Sequence, residues 1–546
     1  MVLPQSLTRD TDSKGTPMSN TTETVDVPVP CIVTTPAGTF RGAVRDAVHS
    51  WRGIRYAEAP VGERRWRDPV PATLASGEVD ATAFGAACPQ VRTPAIALGD
   101  DAVLDEDCLM LNVWAPDADA PAGARPVMVW LHGGAYTFGA SSQRTYDATS
   151  LVSRGDVVVV TLNYRLAAFG FLDLSGLLPD GGFDRNLALK DVLVALRWVQ
   201  ENIAAFGGDP HRVTVFGESA GGGLVTTLLA TPSAAGLFHR AIAQSSPASS
   251  MYGIDRARDV AERFVRELGI DQTDAVATVA ALRAASADEL VTAGMAVYAQ
   301  VPDEAPGTLA FAPIVDGGLL PEAPATVLHE GRGLPVPLMI GTNKDEASLF
   351  KFMKSPLMPI TEERIMTMFS DMAADNPTVE LPSVAQVQTA YENVRKNAVG
   401  PGVARDIGFR MPTVWIAEGH AATAPVWLYR FDHAAPFLRL IGLGATHGSE
   451  LAYLWGVFAS GPKDLTFRLG GKRAGEAISA RMQERWAAFA HGRTPDAEGV
   501  TGAPHWPAYD PADSRATLVI ERHDSVVDDL DAALRAAWGD QVLDFH

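Results

Sequence analysis

The chain has 546 residues, 47% of them hydrophobic and 20% charged, with a formal net charge of −20. That is the composition of a globular protein with a large core. Its acidity (pI near 5.0) and the lack of a Lys/Arg cluster in the sequence argue against a nucleic-acid partner, and no apolar run approaches the ~18 residues of a membrane span.

Residues 1–30 are polar and carry four prolines, which predicts a disordered tail. They hold no basic stretch followed by an apolar one, so no signal peptide is read and a cytoplasmic location is expected; Met18 is an alternative start. From 31 to 546 there is no Pro/Ser-rich linker, charge block or repeat. This stretch predicts one large, decorated α/β domain, against the three or four domains that about 150 residues apiece would give. The three cysteines, Cys31, Cys88 and Cys108, are few and odd in number, as suits a reducing compartment. There is no C-x-x-C and no H-E-x-x-H, so no metal site is expected.

"PVMVWLHGG" (126–134) reads as an apolar strand running into glycines, and "GDVVVVTLNYR" (155–165) as a strand buried on both faces. "NLALKDVLVALRWVQENIAAFGG" (186–208) has helical spacing and ends on a Gly-Gly cap. "HRVTVFGES" (211–219) is a short strand, and "AGGGLVTTLLATP" (220–232) a helix stopped near Pro232. Further strands are read at "RAIAQSS" (240–246), "VPLMIGTNKDE" (336–346) and "APVWLYRFD" (424–432). Strands alternating with helices imply a largely parallel sheet, with chemistry at the carboxyl ends of its strands.

Ser219 of "VFGESAGGG" (215–223) stands where a strand turns sharply into a helix. Such an elbow exposes the serine hydroxyl, needs glycines at 217 and 221, and aims the N–H of Ala220 at a developing oxyanion. The alternative is a glycine-rich helix start that only packs. "LHGGAYTFGA" (131–140) follows an earlier strand and offers Gly134 and Ala135 as further N–H donors, with Gly133 supporting the turn. His132 reads as structural. An acid and then a base are expected downstream of the serine. "GTNKDEAS" (341–348) supplies two adjacent carboxylates, Asp345 and Glu346, between which the residues alone do not choose. "GATHGSE" (444–450) holds His447 between glycines; most of the other histidines read as solvated or satisfied.

Together with "EDCLMLNVWAP" (106–116), "GIRYAEAPVGERRW" (53–66), "FGGDPHRVTVFGESAGG" (206–222), "RWAAFAHGRTP" (485–495) and "WPAYDP" (506–511), these segments resemble the type B carboxylesterases of the α/β-hydrolase fold. That family includes para-nitrobenzyl esterases and cholinesterases, and the likeness runs from about residue 32 to 540. The resemblance implies a large central, mostly parallel twisted sheet flanked by helices, with loop and helical insertions. It makes Ser219 the nucleophile, Glu346 the acid and His447 the base, with Gly134, Ala135 and Ala220 as oxyanion donors. It places Glu218, Ser245 and Glu450 in a buried polar network beside them; the plainer reading of these three is structural hydrogen bonding. Gly-Gly-Ala stands where many relatives have a third glycine, which keeps the N–H. Cys88 and Cys108 fall where secreted relatives place a disulfide, which leaves secretion open; the absence of a signal peptide implies reduced thiols instead. Cys31 is expected free.

The expected activity is hydrolysis of small or short-chain carboxylic esters through an acyl-enzyme, on a small-molecule substrate and without a cofactor. The same residues suit a specialised hydrolase of a carbamate, amide, thioester, toxin or synthetic polyester. A non-catalytic binding module of the cholinesterase type is the reading from another class. "FKFMKSPLMPITEERIMTMFSDM" (350–372), with five methionines, suits either a pliable wall over the acyl site or an amphipathic packing helix. Nothing in the sequence distinguishes monomer from homodimer.

Overall fold

The computed structural model describes residues 29–93, 96–117, 123–375, 391, 396–459 and 464–543. All but the last two residues of the expected tail therefore lie outside the described residues.

Thirteen strands form one sheet. They are β1 (Val29–Thr35), β2 (Gly38–Arg45), β3 (Val48–Arg55), β4 (Glu78–Asp80), β5 (Met110–Pro116), β6 (Arg125–Leu131), β7 (Val158–Leu162), β8 (Gly208–Glu218), β9 (Arg240–Gln244), β10 (Leu338–Asn343), β11 (Val426–Phe431), β12 (Thr517–Ile520) and β13 (Ser525–Val527). The order is β1-β2-β3-β5-β7-β6-β8-β9-β10-β11-β12-β13, with β4 beside β2. From β7 through β12 every neighbouring pair is parallel. The β1–β2, β2–β3, β3–β5 and β5–β7 pairs are antiparallel, an extension that the sequence reading did not separate into strands.

The parallel strands are apolar throughout because both faces are covered. In β6, Val127, Val129 and Leu131 enter one core cluster. Met128 and Trp130, pointing the other way, enter a second with Phe216, Ile242 and Trp455. This two-residue alternation divides one strand between two cores. The Leu187–Asn202 helix covers the first face, with Leu189, Val192, Leu196 and Val199 all buried. The Lys472–Ala490 helix covers the second through Ile478, Met482 and Trp486.

β6 lies between β7 and β8, so the chain leaves it toward opposite sides of the sheet. Strand order reverses there, and loops at the carboxyl ends of β6 and β8 open a crevice. The loop after β6 begins at His132, and the turn after β8 is Ser219.

Candidate active site

Ser219 sits between the last residue of β8 and the Ala220–Leu229 helix, at φ 56° and ψ −125°. A non-glycine residue in that region is strained by about 1–3 kcal/mol. The surroundings hold it there: Ser219 N donates to Gln244 O (2.9 Å) and Gly223 N donates to Ser219 O (2.8 Å). The glycine required at 221 has a steric reason, since a Cβ there would lie 2.0 Å from Leu131 O. Gly133 is pressed in the same way, its missing Cβ being 2.8 Å from Glu218 O and 3.0 Å from Ser219 Cβ. These contacts bring the β6 loop against the serine turn.

His447 Nε2 lies 2.8 Å from Ser219 Oγ, and His447 Nδ1 lies 2.6 Å from Glu346 Oε2. With Nδ1–H donated to the carboxylate, Nε2 is left to accept from the hydroxyl. Glu346 is fully buried, and its other oxygen accepts from Ser245 Oγ and from Asn343 N, both at 2.6 Å. Its neighbour faces elsewhere: Asp345 Oδ2 accepts from Ala445 N (3.0 Å), while Asp345 N donates to Ala445 O (2.9 Å). Of the two adjacent carboxylates, one meets the imidazole and the other braces the loop that carries it.

The polar network named from the resemblance assembles around this chain. Glu450 accepts from Gln244 Nε2 (3.1 Å) and from Asn343 Nδ2. Glu218 Oε1 lies 3.3 Å from His447 Nε2 and has no hydrogen-bond donor of its own. Burial pushes the Glu218 pKa up to about 8, opposed by His447 and reinforced by Glu450 and Glu346. At His447, burial disfavours the imidazolium, but Glu218 and Glu346 outweigh it and lift the ring above the ordinary histidine value. Because Glu218 itself holds a proton near neutrality, much of that upward pull arises only at higher pH.

Gly134, Ala135 and Ala220 line the same cavity as Ser219, and their N–H groups meet no acceptor among the described residues. Gly134 (φ 124°), Ala135 (φ 51°) and Tyr136 (φ 56°) are consecutive residues with positive φ, which makes a tight turn of the loop beside Ser219. His132 is buried, stacked on Tyr164 at 4.5 Å, and held neutral by burial with its pKa lowered to about 4. Tyr164 donates to His132 O (2.6 Å), the structural role expected for this histidine.

Two aromatic residues flank the imidazole: Phe350, which opens the methionine-rich stretch, and Phe409, which the sequence reading did not single out. The rings of Phe350 and Phe409 lie 5.2 and 4.8 Å from that of His447. Phe409 belongs to a π-helical turn, Asp406–Arg410, a form that recurs at functional sites and has no local sequence signature. The methionine-rich stretch does both things expected of it. Met353 and Met358 line the cavity, whereas Met368 and Met372 pack with Trp415 and Trp538 in a separate core.

Cys88 and Cys108 are buried free thiols, as against the disulfide that one expectation named. Leu166 N donates to Cys88 Sγ (3.3 Å). The Cys108 pKa is raised well above the ordinary thiol value by its hydrogen bond to Cys88 and by burial. Such a thiol is a poor nucleophile. Cys31 is also free, with its pKa pushed up to about 11 by burial.

The cavity over Ser219 measures about 1560 Å3, above the ~300–1,000 Å3 of ordinary ligand pockets. A model of the carboxylesterase family matches residues 30–538. The para-nitrobenzyl esterase of Bacillus subtilis (strain 168) is 36% identical over 513 residues, covering 92% of this chain and 97% of its own. The phenmedipham hydrolase of Pseudarthrobacter oxydans is 31% identical over 90% of this chain and 94% of its own. A solved carboxylesterase of Geobacillus stearothermophilus superposes with a TM-score of 0.78 at 34% identity, covering 93% of this chain and all of the other. The α/β-hydrolase architecture and these likenesses agree: the chain belongs to the carboxylesterase family and is a carboxylic ester hydrolase.

Proposed function

We propose that Ser219, His447 and Glu346 hydrolyse carboxylic esters through an acyl-enzyme on Ser219. The observation that carries this reading is the continuous chain from Ser219 Oγ to His447 Nε2 (2.8 Å) and from His447 Nδ1 to Glu346 (2.6 Å). It ends in a cavity lined by three residues whose amides meet no acceptor among the described residues.

Ser219 Oγ attacks the ester carbonyl while His447 Nε2 takes its proton. Glu346 holds the imidazole in the required tautomer and favours the imidazolium as it forms. The N–H groups of Gly134, Ala135 and Ala220 hold the oxyanion; loss of one such donor typically costs ~3 kcal/mol. The imidazolium then protonates the leaving alcohol, and water repeats the path to release the acid. The acyl portion is short, and the size of the cavity leaves room for a bulky remainder of the substrate.

A panel of p-nitrophenyl esters from acetate to palmitate tests this. Turnover is expected to be highest for the short acyl chains and absent in Ser219→Ala, with a fluorophosphonate labelling Ser219 in the wild type. Retained turnover in Ser219→Ala would overturn the assignment.

A further inference from the structure

The sequence shows no basic cluster, yet the fold builds one. Three separated segments border the mouth of the Ser219 cavity: "KFMK" (351–354), "FLRLI" (437–441) and "LTFRLGGKR" (465–473). Phe352 and Met353 from the first, Phe437 and Leu438 from the second and Leu465 from the third line the cavity itself. The segments adjoin one another. Ser348, one turn before the first, donates to Leu443 O (2.6 Å) just beyond the second. Gly471 of the third packs on Pro436, its absent Cβ falling 2.6 Å from Pro436 Cδ.

Two properties set this lip apart. It contains six basic residues, Lys351, Lys354, Arg439, Arg468, Lys472 and Arg473, and no acidic one, in a chain whose formal charge is −20. All six are exposed; Lys351 and Arg468 also interact within the protein, so the charge offered to a partner rests on Lys354, Arg439, Lys472 and Arg473. It also holds six of the sixteen exposed large apolar side chains among the described residues: Phe352, Met353, Leu440, Ile441, Leu465 and Leu469. Leu440 is 73% and Phe352 64% exposed. Besides the buried Glu218, three acids line the cavity: the exposed Asp100 and Asp101, and Asp464 directly before the third segment, so the exposed part of the lip is basic while the inner edge beside it carries one carboxylate.

Exposed apolar side chains interleaved with cations are poorly placed facing water alone. They match a surface with an apolar interior and a negative exterior. A second copy would bring its own net charge of −20, so repulsion between the two acidic bodies opposes self-association through this lip. No described helix is long and apolar enough to cross a membrane, so the contact is at the surface. We propose that this lip docks the enzyme on anionic lipid bilayers. Docking sets the cavity mouth at the headgroup level, within reach of esters dissolved in the lipid; this last consequence rests on the ester-hydrolase reading, whereas docking itself does not.

The test is co-sedimentation of the full chain with vesicles of ether-linked lipids, which cannot be hydrolysed. Vesicles of phosphatidylcholine alone are compared with vesicles containing phosphatidylglycerol. Binding is expected only with phosphatidylglycerol and should weaken with added salt. Each basic residue near such a surface contributes roughly fivefold in affinity, so Lys354→Glu/Lys472→Glu should bind at least tenfold more weakly. Leu440→Ser/Leu469→Ser should also lose affinity. Both double variants should keep kcat/KM on a soluble p-nitrophenyl ester, which separates loss of docking from loss of catalysis. Absence of binding to phosphatidylglycerol vesicles at low salt, or wild-type affinity in both variants, would overturn the proposal. So would a wild-type dimer that Leu440→Ser dissociates, since the lip would then be a self-association surface.

Discussion

Glu218 holds Oε1 3.3 Å from His447 Nε2, the same nitrogen that meets Ser219 Oγ at 2.8 Å. One residue before the serine in sequence, it sits beside the base in space because the strand-to-helix turn folds the chain back there. While protonated, Glu218 is a neutral neighbour. As it ionises, it favours the imidazolium and so opposes the base.

Glu218→Gln should therefore change the pH dependence. The base works as neutral imidazole, so kcat/KM rises as pH passes the imidazolium pKa. Burial lowers that pKa, and Glu218 and Glu346 raise it above the ordinary value. Glu218 becomes a negative neighbour only as it ionises at about pH 8, so glutamine removes the part of the pull that arises there, and the upper part of the acidic limb should move to lower pH. A pH profile of kcat/KM with a soluble ester checks this. A limb that stays in place while the plateau falls would reduce Glu218 to a packing role.

Ser245→Ala removes one of two donors to Glu346 Oε1. Ser245 lies at the end of β9 with φ 49°, its N–H bonded to Gly341 O (2.8 Å). Hydrogen bonds to a charged acceptor contribute about 1.5–3 kcal/mol, so kcat should fall by roughly tenfold to a hundredfold. KM should change little, because Ser245 does not line the cavity. An equal rise in KM would place the effect on binding instead.

The sequence was most readable where the physical demand is local. Short apolar runs marked β6 to β9, and the close approach to Leu131 O required glycine at 221. Where the outcome depends on distant partners, residue reading stopped. Asp345 and Glu346 are alike in sequence, and Ala445 and His447, a hundred residues on, decide which way each points. The resemblance to relatives, not the spacing, singled out Glu346 and Ser245. Phe409 was illegible, and the pairing of Phe350 with it too, because their common feature is one imidazole that neither neighbours in sequence. β1 to β4 were missed because much of their burial alternates or is partial, a weaker signal than a continuous apolar run.

The cysteines give a direct chemical check. With all three free, the denatured chain should react with about three equivalents of a thiol reagent without added reductant, and adding reductant should not raise the value. A single equivalent before reduction would mean that Cys88 and Cys108 are bonded. In the native state all three should react slowly, since Cys88 and Cys108 are buried and the Cys31 thiol is held protonated.

Asp191 braces the loop that carries Gly134 and Ala135 from behind. It accepts from Arg165 Nη2 at 2.7 Å and Nε at 2.9 Å, and from Arg165 N at 3.1 Å, with both side chains buried. The same segment runs into Tyr164, which donates to His132 O, and Ala167 N, which donates to Tyr136 O (2.8 Å). Arg165 thus anchors a strand end that touches both flanks of Gly134 and Ala135. Asp191→Ala leaves a buried guanidinium without its counter-charge and should destabilise the protein by about 3–5 kcal/mol, because an unpaired buried charge costs far more than its pair contributed. Replacing both partners, Arg165→Met with Asp191→Leu, removes the charge as well as the pair and should recover most of that loss. Denaturant midpoints of the single and double variants decide between the two accounts. If the double variant is as unstable as Asp191→Ala, the geometry of the pair matters more than the burial of its charge.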